Sequence, residues 1–416
     1  MNITVFPSLL QGEITPPASK SVFQRLVAGA MLSTGTTRIG NPSYSDDGMA
    51  AVGMAATLGA KIEEDGPDIL VRGPLNPRHG DLHAGESGLG MRLFAPLAAL
   101  TGIDLTLGGQ GSLLQRPHPM FGQVFPQLGV DVQSVGDFLP FKLSGKLQPG
   151  NLVVDGSYSS QFISGLLMAL PCCNGNSTLR IENPVSKPYI EMTLEILEAY
   201  DIEIHRKEEW YFEIPGPQNY TELDIDTDAD WSAAAFLLVA GAVAAEGKYQ
   251  VNHLDTIFTQ ADQAISGPLL FSGTKLKNNA GDIQVVNHGI KGFNFDATDC
   301  PDLFPPLAAL AAFADKESRI TGIHRLAHKE SNRALTLQSE FGAAGIPIEF
   351  EGDTMIIKPA DVVPCTFNSH GDHRLAMAGA ILGLGGAPII IENADAVSKS
   401  YPSFYDDLAD VGAQFQ

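Results

Sequence analysis

Basic residues are scarce in this chain. Its 416 residues carry 26 Lys plus Arg against 48 Asp plus Glu, a formal net charge of −22. Affinity for a phosphate backbone comes from clustered cations, so nucleic acid is excluded as a partner. A small anionic substrate is not excluded, because a few focused cations govern the field of a cleft whatever the total charge. Cysteine is also rare: Cys172, Cys173, Cys300 and Cys365 contain no Cys-x-x-Cys spacing, and the adjacent pair would be strained as a disulfide. They read as reduced thiols of a cytoplasmic protein. The His370-Gly371-Asp372-His373 stretch lacks a second carboxylate or His group at metal-binding spacing, so no metal is expected. Long apolar runs are missing as well. Trp231 to Ala245 is too short to cross a bilayer, Met377 to Ile391 is interrupted by Gly and Pro, and no membrane association is expected. The opening stretch through Ser21 has neither the basic nor the apolar region of a signal peptide. No Walker or Gly-x-Gly-x-x-Gly arrangement is present. What remains is an ordinary globular composition, 44% hydrophobic and 18% charged, long enough for two or three domains.

Within that composition a small pattern recurs: an amphipathic helix, a residue pair ending in Gly, then a short alternating strand. The clear copies are Leu58-Gly59, Leu128-Gly129, Tyr200-Asp201, Ala344-Gly345 and Val411-Gly412, with Asp replacing Gly once. A double-length gap between 201 and 345 asks for a hidden copy at 273, and residue 273 is Gly. Gly is expected because helices commonly end in a left-handed residue. Six α/β units of about seventy residues follow, too long for a standard solenoid repeat. Three such units make a domain of ordinary size. Candidate seams are Pro16-Pro17 and the acidic stretch from Asp224 to Asp230.

Polar residues collect where apolar helices begin. Lys20, Ser21 and Arg25 open the first, with Ser21 and Arg25 one turn apart. Gly85-Glu86-Ser87-Gly88-Leu89 is a Gly-rich turn leading through Arg92 into a second; glycine lets backbone N–H groups approach an anion. Arg116 lies in a loop stiffened by Pro117 and Pro119, and Ser157 to Gln161 enters the helix Phe162 to Leu170. Ser186, Lys187, Pro188 and Tyr189 precede Glu191 to Ala199, and Asp302 leads into Leu307 to Phe313. Lys329, Glu330 and Arg333, within Leu326 to Arg333, open an apolar stripe of Ala334, Leu337, Phe341 and Ala344. Asp372, His373 and Arg374 enter Leu375 to Leu384, and Lys399 precedes the last helix. Each cluster alone reads equally well as a helix cap with solvated charges. Together, helix N-termini bearing Ser, Gln, Lys and Arg make a positive field suited to a small phosphorylated anion.

In order along the chain, Lys20-Ser21-x-x-x-Arg25, Asp155-Gly-Ser-x-Ser-Ser-Gln161, Ser186-Lys-Pro-Tyr189, Lys329-Glu-Ser-Asn-Arg333, Asp372-His-Arg374 and Lys399-x-x-Pro402 resemble the EPSP synthase family of enolpyruvyl transferases, in register from about residue 16 onward. The resemblance implies an α/β fold of two domains, the inside-out α/β barrel, each of three βαβαββ units, with the active site in the interdomain cleft. Residues 17–226 would form one domain, and residues 1–16 with 227–416 the other. It implies transfer of enolpyruvyl from phosphoenolpyruvate to the 5-hydroxyl of shikimate 3-phosphate through a tetrahedral intermediate, without metal or organic cofactor, by a cytoplasmic monomer. Lys20, Ser21, Arg25, Ser159, Ser160, Gln161, Ser186, Tyr189, Asp302 and Lys329 would bind shikimate 3-phosphate. Lys20, Gly88, Arg116, Gln161, Arg333, Arg374 and Lys399 would bind phosphoenolpyruvate. Asp302 would deprotonate the hydroxyl, while Glu330 and Lys20 would handle the proton at the methylene carbon.

Three positions depart from the family pattern. The usual Gly-Asn-(Ala/Ser)-Gly-Thr turn carries Glu86 and Leu89 here, and Arg325 stands where a polar Asn is common. Two rival readings make different demands. A UDP-N-acetylglucosamine enolpyruvyl transferase of the same fold would carry a reactive Cys on the loop near Arg116, but residues 105–125 contain none. A silent anion-binding paralogue would have lost Lys20, Asp302 or Glu330, and all three are present.

Overall fold

All six helix-ending positions of the repeat hold a left-handed backbone. The φ angles are 103° at Gly59, 74° at Gly129, 58° at Asp201, 85° at Gly273, 87° at Gly345 and 109° at Gly412. Five are glycine because a Cβ is disfavoured there, and Asp is among the few other residues that tolerate the conformation. Each position delivers the chain into a short strand: Lys61–Asp65, Asp131–Val135, His205–Glu208, Lys275–Asn279, Ile348–Glu351 and Gln414–Phe415. The computed structural model describes every residue except Arg78, Asn287 and His328. His328 belongs to the charged Leu326–Arg333 stretch and lies outside the described residues.

Among the described residues these strands are the edges of six four-stranded sheets. One order recurs in all six: two parallel strands, then an antiparallel inner strand, then the edge. Asn151–Asp155 pairs in parallel with Ser177–Glu182, which pairs antiparallel with Tyr211–Ile214, and that strand pairs with His205–Glu208. Charged or polar side chains crowd the edges, as in Lys61-Ile62-Glu63-Glu64-Asp65 and His205-Arg206-Lys207-Glu208. Such edges resist pairing with another chain. In the last sheet the N-terminal strand Asn2–Phe6 lies between Ile389–Glu392 and Gln414–Phe415, so the first residues complete the final repeat.

The chain divides into two compact units, Ala18–Asp228, and Met1–Pro17 with Ala229–Gln416. In the unit Ala18–Asp228 the helix Gly88–Ala99 packs against both Lys20–Leu32 and Ser160–Ala169. Glycine sets the closest approach: a Cβ on Gly165 would meet the carbonyl oxygens of Arg92 and Leu93 at 2.8 Å. Serine caps all three helices, with Ser19 accepting from the Val22 amide, Ser87 from Gly90 and Ser159 from Gln161. The residues after each cap, Lys20 and Ser21, Gly88, and Ser160 and Gln161, therefore stand in the first turn. In the other unit Trp231–Ala244, Phe304–Ala312 and His373–Gly385 pack pairwise. They are apolar all round and almost wholly buried, as core helices must be. Asp230 and Asp372 cap the first and third. Among the described residues no helix is long and apolar enough to cross a membrane.

Several helix starts differ from expectation. Lys187–Ala199 begins four residues before Glu191, and Phe304–Ala312 before Leu307. Proline causes both shifts: Pro188 and Pro305 occupy first-turn positions, where the missing N–H has no helical partner to lose. Ser21 is not a cap, because Ser19 takes that role.

Candidate active site

Arg25 is fully buried, which overturns its reading as a solvated cation. Its Nε donates to Thr193 Oγ1 at 2.8 Å and its Nη1 to the Ser21 carbonyl at 2.8 Å. Its Nη2 reaches Ser164 Oγ at 3.1 Å and the Tyr189 carbonyl at 3.4 Å. These acceptors are all neutral, so the guanidinium's net charge stays available to an anion. Burial accordingly lowers its pKa to about 10. The cluster joins Ser21, Arg25 and Tyr189 directly, and Ser160 through Ser164, whose hydroxyl donates to the Ser160 carbonyl. Ser186 lies beside it in a left-handed conformation, its carbonyl accepting from the Tyr189 amide at 3.1 Å.

A second cluster in this unit surrounds Gly88. Arg92 Nη1 donates to Gln161 Oε1 at 2.6 Å, and Nη2 to His118 Nδ1 at 3.2 Å. Arg116 Nη2 donates to Ser112 Oγ at 2.9 Å. A Cβ on Gly88 would come within 3.1 Å of Arg116 Nη1 and 3.2 Å of Arg92 Nη1. Two guanidinium groups thus converge where the first turn of the helix presents bare backbone. Burial, then Arg92 and Arg116, push the pKa of His118 down to about 2, so its ring is neutral. Lys20 pairs with the buried Asp47 at 2.9 Å. Ser87 supports the turn by donating to Gln24 Oε1 at 3.3 Å, and Leu89 is buried.

In the other unit carboxylates stand among the cations. Arg333 is buried and donates to both oxygens of Asp372, at 2.7 and 3.1 Å. It also donates to Asp302 Oδ1 at 2.6 Å and Glu330 Oε2 at 2.5 Å. Lys329 Nζ lies 3.2 Å from the same Asp302 oxygen, and Arg374 Nη2 is 3.2 Å from Asp302 Oδ2. Burial alone would raise the Asp302 pKa, but Arg374, Lys329 and Arg333 outweigh it and hold the carboxyl well below its usual range. Burial would lower the Arg333 guanidinium, but Asp372, Glu330 and Asp302 hold it firmly protonated. Arg374 Nη1 faces a further carboxylate, Asp262, at 3.8 Å. Lys399 ends the 3-10 helix Ala394–Lys399, which packs on His373–Gly385, the helix that carries Arg374 in its first turn. Arg325, the departure from the family pattern, donates to the Thr298 carbonyl at 2.9 Å. Among the described residues no group of three or more His, Cys, Asp or Glu is placed to hold a metal.

Sequence reasoning did not single out Asp47, Ser164, Thr193 or Asp262. It noted Arg92 and Asp372 without giving them site roles. Arg92 and Asp372 carried a usable signal, each being a charge at the entrance of an apolar helix. Asp262, in Gln260-Ala261-Asp262-Gln263, carried none.

The family model for EPSP synthase (3-phosphoshikimate 1-carboxyvinyltransferase) matches residues 6–408. A 3-phosphoshikimate 1-carboxyvinyltransferase of Thermococcus kodakarensis is 36% identical over 406 residues, covering 96% of this chain and 97% of that protein. The protein of the same name from Clostridium kluyveri is 33% identical over 418 residues, covering 99% and 97%. The fold matches a solved EPSP synthase of Acinetobacter baumannii with a TM-score of 0.84 at 24% identity, over 100% of this chain and 99% of that one. It also matches the enolpyruvyl transferase NikO of Streptomyces tendae with a TM-score of 0.79 at 16% identity, over 100% and 98%.

Proposed function

We propose a division of labour among these residues from one premise: the chain belongs to the EPSP synthase family. The protein transfers the enolpyruvyl group of phosphoenolpyruvate to the 5-hydroxyl of shikimate 3-phosphate, giving 5-enolpyruvylshikimate 3-phosphate and phosphate on the route to chorismate. The hydroxyl oxygen adds to C2 of phosphoenolpyruvate while C3 gains a proton. The tetrahedral intermediate then loses phosphate from C2 and a proton from C3.

Shikimate 3-phosphate is assigned to Lys20, Ser21, Arg25, Ser159, Ser160, Gln161, Ser186, Tyr189, Asp302 and Lys329. The buried Arg25, satisfied only by neutral acceptors, supports this assignment. Phosphoenolpyruvate is assigned to Lys20, Gly88, Arg116, Gln161, Arg333, Arg374 and Lys399, and the guanidinium groups converging on Gly88 support that. Asp302 takes the hydroxyl proton, and Glu330 with Lys20 moves the proton at C3. At rest Asp302 is a weak base, because three cations stabilise its ionised form. Substrate anions that engage Lys329, Arg333 and Arg374 share that field, so the base gains strength only when the site is loaded. The family resemblance further supports a cytoplasmic monomer with no metal or organic cofactor.

The observation that carries the reading is the single cluster of Asp302, Glu330, Lys329, Arg333 and Arg374, two carboxylates meshed with three cations. It supplies acid–base groups and anion ligands at one place. Incubation with both substrates, followed by phosphorus NMR and mass spectrometry, tests it. Phosphate and an enolpyruvyl ether should form together, and only when both substrates are present. Phosphate from phosphoenolpyruvate alone, or no reaction, overturns the reading.

A further inference from the structure

Asp262 has no role in the reaction as described, yet its placement is unusual. It sits in the 3-10 helix Ala261–Ile265 and is 1% exposed. Oδ2 accepts from Ser232 Oγ at 2.5 Å and lies 3.8 Å from Arg374 Nη1. Oδ1 is buried with no hydrogen-bond partner among the described residues. Arg374 is thereby shared between two carboxylates, Asp262 through Nη1 and Asp302 through Nη2.

The two carboxylates are not equivalent when an anion arrives at Arg374. Asp302 has two further cations beside it, Lys329 and Arg333. Asp262 makes its ion-pair contact with Arg374. Among the described residues, the groups that face it include Asp230 and Ser232 at the start of Trp231–Ala244, Cys300 just before the 3-10 helix Pro301–Leu303, and Asp302 within it. The adjacent helix Ser266–Phe271 brings no titratable side chain. None of these supplies a positive charge. A buried carboxylate that loses its counter-ion is strongly disfavoured, and protonation is the ordinary escape.

We propose that Asp262 takes up a proton when an anion engages Arg374 and releases it when the anion leaves, so that phosphoenolpyruvate binding is coupled to proton uptake. The identity of the anion rests on the functional reading above; the coupling rests on the geometry. The proton comes from the medium and returns to it with the departing phosphate. The direction is supported by the resting state, in which burial and then Asp302 push the Asp262 pKa up to about 7 against the pull of Arg374. Weakening that pull carries the group through neutral pH. The sign follows from linkage: a ligand that raises a group's proton affinity binds more weakly as pH rises above the free-state pKa.

The test is the pH dependence of kcat/KM for phosphoenolpyruvate at saturating shikimate 3-phosphate. The wild-type value should fall about tenfold from pH ~7 to ~8.5, in line with one proton per anion. In Asp262→Asn that limb should vanish, and the variant should exceed the wild type at the alkaline end. Ser232→Ala removes a donor that favours the ionised form, so its limb should move to higher pH. A wild-type profile with no limb, an unchanged limb in Asp262→Asn, or a limb in Ser232→Ala that stays or moves down would each overturn the proposal. If Asp262→Asn does not fold, Ser232→Ala decides alone. Absence of any two-substrate turnover in the wild type would instead sink the functional reading. The coupling would then be read by calorimetry with inorganic phosphate in buffers of different ionisation enthalpy, where binding without proton uptake, or no binding, overturns it.

Discussion

Gly88→Ala puts one methyl group against the convergence of Arg92 and Arg116. The new Cβ would lie 3.1 Å from Arg116 Nη1, 3.2 Å from Arg92 Nη1 and 3.9 Å from Gln161 Oε1. The first two distances are a few tenths of an ångström shorter than ordinary contact, so both guanidinium groups must move. The methyl also fills space in front of the backbone assigned to phosphoenolpyruvate. Against a bound anion, which cannot shift without losing its contacts, overpacking of this kind costs about 1–3 kcal/mol. At 1.4 kcal/mol per tenfold, KM for phosphoenolpyruvate should rise about 5- to 100-fold. The fold should suffer little, because the atoms met are the ends of flexible arginine side chains, Gly88 begins the helix Gly88–Ala99 without a positive φ, and alanine is the better helix former. Steady-state phosphate release with each substrate varied, alongside thermal unfolding, reads all three quantities. The expected result is a raised KM for phosphoenolpyruvate, a KM for shikimate 3-phosphate within about twofold of wild type, and an unchanged or higher Tm. Equal changes in both KM values, or none, would show that the anion does not dock against Gly88.

Arg25→Ala should weaken shikimate 3-phosphate binding by about a hundredfold, the worth of one or two charge-assisted hydrogen bonds, with a smaller fall in kcat. Calorimetry checks the affinity, and Arg25→Lys should recover only part of it, since lysine keeps the charge but not the fork that reaches Thr193 and Ser164. His118 predicts an acid-sensitive fold. Its folded pKa is depressed to about 2 by burial, Arg92 and Arg116, so below about 6.5 the unfolded chain binds a proton that the folded chain refuses. Stability should fall by about 1.4 kcal/mol per pH unit from this group alone, and His118→Gln should flatten urea-unfolding midpoints between pH ~6 and ~5 by that amount. Identical slopes in variant and wild type would contradict it.

The repeat was legible because a single stereochemical demand recurs: a helix that ends in a left-handed residue leaves Gly at 59, 129, 273, 345 and 412, and Asp at 201. Helix starts were less legible where Pro188 and Pro305 sit inside the first turn, since proline there reads as a breaker from sequence alone. Most cations of the site stood out because they stand at or just before the start of an apolar helix, and Arg116 because it lies in a loop beside Pro117 and Pro119. Their partners did not. Asp47 looks like one of two acidic residues at a helix N-terminus, yet it holds Lys20. Asp262 is distant in sequence from Arg374 and shares no spacing with it, so only tertiary packing brings the two together. Ser164 and Thr193 look like small polar residues within helices, and their tie to Arg25 depends on three helices meeting.

The assignment of Asp302 as the base that activates the substrate hydroxyl is tested most directly by Asp302→Asn, measured two ways on one preparation: shikimate 3-phosphate affinity by calorimetry and single-turnover enolpyruvyl transfer by quench flow. Asn keeps the shape of a side chain that now accepts from Arg333 and lies beside Lys329 and Arg374. Affinity should stay within several-fold while the rate falls by about 10²–10⁴, the usual worth of a positioned acid–base group. Parallel losses in affinity and rate would make Asp302 a holder of ligands and contradict its role as base.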